Sequence, residues 1–161
     1  MEKIDKIKCI LIDFEIADKT LDEAAKEILL QSVSSSGGVI RTERGWAGHF
    51  ICANRCRFRR NTLLTINDIK IVVSTVGLME MDNGKFEAIG HNRHYETMAF
   101  HSTKTDTRYN DADVRKQVYF DSEWAISEQY ATVSANKMHE EVVLEITNKL
   151  IEGETFPVKE W

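Results

Sequence analysis

The sequence predicts an α+β domain: an antiparallel sheet of five to seven strands with two amphipathic helices, near residues 20–33 and 134–152, packed on one face. Three observations point there. Apolar residues recur at helical spacing towards both ends of the chain, the middle runs in apolar pieces of strand length, and hairpin-type turns part those pieces. A parallel α/β fold would instead alternate the two periods throughout. The chain has 161 residues, 42% of them hydrophobic and 29% charged, proportions of a single folded unit, so residues 1–161 read as one domain.

Taken in order, residues 6–16 (KIKCILIDFEI) are rich in β-branched and large apolar side chains and read as a buried strand. Thr20 and Glu23 have capping-box spacing, and Leu21, Ala24, Ala25, Ile28 and Leu29 then share one helical face. The run SSSGG at 34–38 ends that helix. From residue 39 to about 121 strands are expected, including 69–76, 95–102 and 114–121, the last with Val114, Val118 and Phe120 on one face. Hairpin turns fall at INDI (66–69) and MDNGKF (81–86), the second with an Asn-Gly pair favoured in type I′ turns. Residues 103–113 lack an apolar period and read as a surface loop. The second helix starts near Ser134 with Ala135, Met138, Val142, Val143, Ile146 and Leu150 in one stripe; Gly153 stops it and Pro157 bars continuation.

Net charge is −5, yet its distribution is polarised. Residues 41–60 carry six arginines against one acid, whereas residues 121–161 carry nine acids against three lysines. Three cysteines and a start without an apolar leader suggest a reducing, cytoplasmic setting. The longest apolar run, IKIVVSTVGLM, is broken by Lys70, Ser74 and Gly77 and is too short for a bilayer-spanning helix.

Most of the chemistry concentrates in RGWAGHFICANRCRFRRNTLL, residues 44–64. His49, Cys52 and Cys56 have the spacing H-x₂-C-x₃-C, which His91 and His94 could complete as a zinc site. No metal is favoured, because these cysteines sit among strand-forming residues rather than on paired knuckles. A cysteine nucleophile activated by the arginines would need a nearby histidine. A strand through NRCRFRRN explains the pattern better: Cys56 and Phe58 point one way and Arg55, Arg57 and Arg59 the other. Neighbouring guanidiniums would then lie about 6 to 7 Å apart and repel unless acids or a bound anion face them. The acids could come from the C-terminal helix, through Glu140, Glu141 and Glu145. The anion reading makes Arg44, Trp46, Arg55, Arg57, Arg59 and Arg60 ligand-binding candidates, with Arg41 beside them and the Trp46 indole as a stacking surface.

Two histidines three apart, with Glu96, mark GHNRHYE at 90–96 as either a metal or acid/base cluster or an exposed turn. Asn110, Asp111 and Asp113 lack the later glycine and glutamate of an EF-hand loop, and His139 in MHEEVV reads as part of a polar helix face. Phosphate-loop, dinucleotide-binding, nucleophile-elbow and zincin motifs are absent. The leading expectation is therefore a non-enzymatic binding or inhibitory accessory protein whose arginine-lined strand engages a nucleotide-like small molecule or an acidic protein surface. Negative net charge argues against duplex DNA. The competing expectation is a hydrolase or transferase acting on a phosphorylated or nucleotide substrate, with His49, His91, His94 or His101 as acid or base. A homo-oligomer mating acidic and basic faces is a third.

Overall fold

A computed structural model describes residues 38–44, 48–49, 52–102 and 112–157. The expected strand at 6–16, the expected helix at 20–33, Trp46, and Asn110 with Asp111 lie outside the described residues. From Val39 onward the chain forms one compact unit built on a seven-stranded antiparallel sheet. Its strands are β1 (Ile40–Glu43), β2 (Cys56–Ile66), β3 (Ile69–Glu80), β4 (Phe86–Glu87), β5 (Tyr95–Ser102), β6 (Ala112–Val118) and β7 (Ala125–Ile126). The spatial order is β1-β2-β3-β5-β6, with β4 paired to β3 and β7 to β5. One α-helix occurs among the described residues, α1 (Thr132–Ile151), and none there is long and apolar enough to cross a membrane.

The long β2–β3 hairpin anchors the sheet. Ile66 pairs with Ile69, so Asn67 and Asp68 form the turn, with Asn67 at φ +49°. The 81–86 turn differs from the type I′ expectation: only Gly84 has positive φ, and its amide donates to Met81 O. The Asn83 side chain explains this, because its Oδ1 accepts from the Lys85 amide and holds Asn83 in ordinary backbone space.

On one face of the sheet Leu64, Ile71, Val73, Ala99 and Val118 pack under Val142, Val143, Ile146 and Leu150 of α1. A fully buried aliphatic side chain of this kind contributes about 1.5 to 3 kcal/mol. Nearer the helix start, Phe58 meets Tyr95 edge-on, with ring centroids 5.6 Å apart, beside Ala135 and Met138. Gly77 is required here, since a Cβ would overlap the Tyr95 ring. The helix begins two residues before Ser134 and ends in a Schellman motif: Gly153, at φ +75°, donates to Leu150 O and Glu154 to Lys149 O.

Two alternation patterns break. Val114 is 53% exposed although Val118 is core, because the β5–β6 register shifts between Phe100 and Ser102. Residues 112 and 113 belong to that strand rather than to a loop. Cys56 packs with Ala53 and Val76 while Phe58 packs under the helix, so the two do not share a face. The change of face coincides with Leu78, held at φ +52° opposite this part of β2.

His139, expected on a polar face, is fully enclosed between α1 and the sheet. Burial holds its pKa well below the ordinary value, so the ring is neutral. Its tautomer follows from its neighbours. Thr62 Oγ1 lies 2.9 Å from the Glu43 carboxylate, which only accepts, so the Thr62 hydrogen points to Glu43 and Thr62 accepts from His139 Nε2–H at 2.8 Å. Nδ1 then accepts from Thr75 Oγ1 at 2.7 Å, and Thr97 Oγ1 donates to Thr75 at 2.7 Å. The result is a chain of hydrogen bonds with one direction, ending at Glu43. Beside it Arg41 grips Glu140 with two bonds of 2.7 and 2.8 Å, and Arg60 adds one of 2.6 Å.

Candidate functional site

The opposite face of the sheet displays Arg59, Asn61 and Leu63 from β2, Val72, Ser74 and Val76 from β3, and Glu96, Met98 and Phe100 from β5, in the rows that the register dictates. Where β2 begins and the β3–β4 hairpin reaches past it, an open cleft of about 440 Å³ is lined by Arg55, Arg57, Arg59, Cys56, Glu80 and Asp82 among others. Three of the arginines expected to bind an anion therefore meet at one opening. Arg55 belongs to a 3₁₀ turn (Ala53–Arg55) rather than to the strand, and it reaches the cleft from there.

The acids facing these arginines come from the hairpin and not from the helix. Arg55 pairs with Asp82 at 2.5 Å and Arg57 with Glu80, a contact that holds the Glu80 carboxyl below its usual range and raises the guanidinium. Among the described residues Arg59 makes no hydrogen bond or ion pair. The Arg57 side chain is 65% exposed, and an exposed pair of this kind contributes at most about 1 kcal/mol. An incoming anion can therefore displace Glu80 at little cost.

Arg60 and Arg41 lie on the helix side with Glu140, and Arg44 donates to Asn61 Oδ1 at 2.8 Å. These three stand apart from the cleft. Of the other two helix acids, Glu141 lies by Lys137, while Glu145 accepts from the backbone of Asp121 and Ser122 and pairs with Lys149.

The residues considered for zinc separate as well. Among the described residues no group of three or more His, Cys, Asp and Glu side chains converges. Cys56 lies in an apolar cluster, and burial pushes its thiol up to about 11, the reverse of what a thiolate nucleophile requires. His91 is exposed in a turn, His94 contacts the Ser127 carbonyl at 2.7 Å, and His101 contacts the Phe156 carbonyl at 3.2 Å on the helix side. Asp113 pairs with Arg115 and Lys116.

His49 stands in a different place. Gly48 lies so close to Val76 and Ala53 that a Cβ there would clash, which lays this short piece of chain flat on the sheet. His49 Nε2 contacts Glu96 Oε1 at 3.0 Å, and its ring lies 5.5 Å from Phe100. The second Glu96 oxygen accepts from Arg93, whose guanidinium rests 5.4 Å over the Trp124 ring. The His49 and Glu96 side chains are only 4% and 10% exposed. Sequence reasoning singled out His49 but gave it no partner, and no short motif joins residues 49 and 96; the sheet register brings them together. No protein-family model, curated protein or solved structure matches the chain significantly.

Proposed function

We infer that the protein is a binding protein that holds a small phosphorylated, nucleotide-like anion in the Arg55–Arg57–Arg59 cleft. The observation that carries this reading is the convergence of three guanidiniums on one open cleft, with Arg59 uncommitted among the described residues. The cleft volume of about 440 Å³ lies within the range of small-molecule sites, which favours a compact anion over an extended protein surface. Glu80 and Asp82 offset two of the three charges, so a ligand would bridge Arg59 and one exchanged arginine rather than meet three free cations.

Calorimetric titration with inorganic pyrophosphate and with ATP tests the reading. Each charge-assisted contact contributes about 1.5 to 3 kcal/mol, so Arg57→Ala with Arg59→Ala should weaken binding at least about tenfold, and added salt should weaken it in the parent. Affinity unchanged by the double substitution, or no binding of either probe up to about 10 mM, removes the proposal. A polyglutamate peptide that binds where both small anions fail would move the site to an acidic protein partner.

A further inference from the structure

We propose that the same sheet face holds a separate acid–base site in which His49, positioned by Glu96, acts on a small uncharged ester, with Ser74 as hydrogen-bond donor. This inference does not rest on the arginine cleft. It begins from two atoms: His49 Nδ1 and Ser74 Oγ are both buried and have no hydrogen-bond partner, which is uncommon enough in a folded protein to call for a cause.

The register places the two side by side. Val73 packs under the helix and Thr75 bonds His139, so Ser74 between them points to the other face, where its β5 partner is Met98. His49 bonds Glu96 and lies against Phe100, the residues two before and two after Met98 on the same strand face. The imidazole thus sits above Met98, one strand spacing from Ser74, about 5 Å.

Orientation follows from charge. The Glu96 carboxylate accepts, so His49 donates to it from Nε2–H, and in the neutral ring the remaining lone pair is on Nδ1. Arg93 binds the other Glu96 oxygen and, resting on Trp124, fixes the carboxylate. A carboxylate that holds one imidazole nitrogen and leaves the other free is the arrangement a general base requires. Glu96 and Arg93 cancel in charge, and Val72, Val76, Met98 and Phe100 share the face, so an uncharged substrate fits better than an anion.

The step balances as ester hydrolysis. Water gives a proton to His49 Nδ1 as its oxygen bonds to the carbonyl carbon, and the Ser74 hydroxyl donates to the carbonyl oxygen as negative charge builds there. Protonated His49 then returns the proton to the leaving oxygen as the carbon–oxygen bond breaks.

The probe is p-nitrophenyl acetate, read as kcat and KM against an equal concentration of free imidazole. The parent protein should exceed imidazole by at least about a hundredfold, and His49→Asn should fall to the imidazole level. Glu96→Gln should lose at least about tenfold in kcat with KM retained, the mark of a positioning residue. Ser74→Ala removes one atom, and its melting temperature reports whether the fold persists. In that folded variant kcat should fall about three- to tenfold. A parent rate no better than imidazole overturns the proposal, as does a folded His49→Asn protein with the parent rate. Should His49→Asn fail to fold, a full parental rate in folded Ser74→Ala overturns it.

Discussion

The two faces of the sheet treat polar side chains in opposite ways. Under the helix each polar group of the seam is answered: both His139 nitrogens are bonded, Thr75 bonds His139 and Thr97, and Glu140 takes three hydrogen bonds from Arg41 and Arg60. On the opposite face His49 Nδ1 and Ser74 Oγ are unanswered, and Arg59 stands at an open cleft without an ion pair among the described residues. The first pattern is what cohesion selects and the second what a ligand leaves room for, since an unsatisfied buried polar group costs about 1 to 3 kcal/mol. Removing polar groups from the two faces should therefore have opposite consequences for stability.

The largest effect is expected at Glu140. Its loss leaves two guanidiniums facing each other, with Arg41 only 14% exposed, so Glu140→Ala should destabilise by about 3 kcal/mol and lower Tm by roughly 6 to 12 °C in a thermal melt. Acid should reproduce part of that loss. The arginines hold the Glu140 carboxyl at about 2, against the stronger upward push of burial. A depressed carboxylate contributes stability that is present above its ordinary value near 4.5 and is lost as pH falls towards about 2. Urea melts of the parent should weaken across that window, and the Glu140→Ala profile should be flatter there; parallel profiles would mean that the pair adds nothing.

His139 comes next. With the folded-state pKa depressed, the neutral ring contributes stability above pH 6.5 that is lost as pH falls below it, by up to about 1.4 kcal/mol per unit. Geometry supplies the reason: a proton on Nδ1 would face the Thr75 hydroxyl hydrogen and force the threonine chain to reverse. His139→Leu should cost about 2 kcal/mol at pH 7.5 through its abandoned threonine partners. It should also remove most of the slope below 6.5, leaving the smaller share of His101, whose pKa burial lowers in the same direction. An unchanged slope would place the titration elsewhere.

The pattern of these contacts shows what a sequence displays and what it hides. The strands at 69–76 and 95–102 and the C-terminal helix were legible because periodicity is local, and Arg55, Arg57 and Arg59 reach one cleft as their clustering suggested. Pairing was not legible. The helix acids looked like the natural partners of the cleft arginines, yet Glu140 meets Arg41 and Arg60, while Asp82 and Glu80 meet Arg55 and Arg57. Which guanidinium faces which carboxylate depends on long-range register and on the turn to the other face near Leu78, and neither is written in any one segment. His139 was recoverable: it lies four residues after Ala135 and three before Val142, inside the apolar stripe, and only its polarity kept it from being read as core. Ser74 carried a weaker signal, a lone hydroxyl in a valine-rich strand.

On the opposite face the sign should reverse at Ser74. Its enclosed hydroxyl has no partner, so Ser74→Ala should leave Tm unchanged or raise it, with a gain of up to about 1 kcal/mol. A loss above about 1 kcal/mol in chemical denaturation would show that the hydroxyl is bonded after all, and the contrast between the faces would fail at this position.

The smallest effect is expected at the cleft. Arg57→Ala removes a contact with an exposed Glu80, and Arg59→Ala removes a charge with no ion pair among the described residues, so together they should shift stability by less than about 0.5 kcal/mol. Salt sharpens the test, because screening weakens attraction and repulsion alike. Arg55, Arg57 and Arg59 repel one another across the cleft, whereas the Arg57–Glu80 pair attracts. If repulsion dominates, moderate salt should raise Tm in the parent and have less effect in the double variant. Salt that instead lowers Tm in the parent, together with a clear loss of stability in the variant, would mean that the cleft arginines cohere as the Glu140 cluster does. The molecule would then have two structural faces rather than one structural face and one for binding.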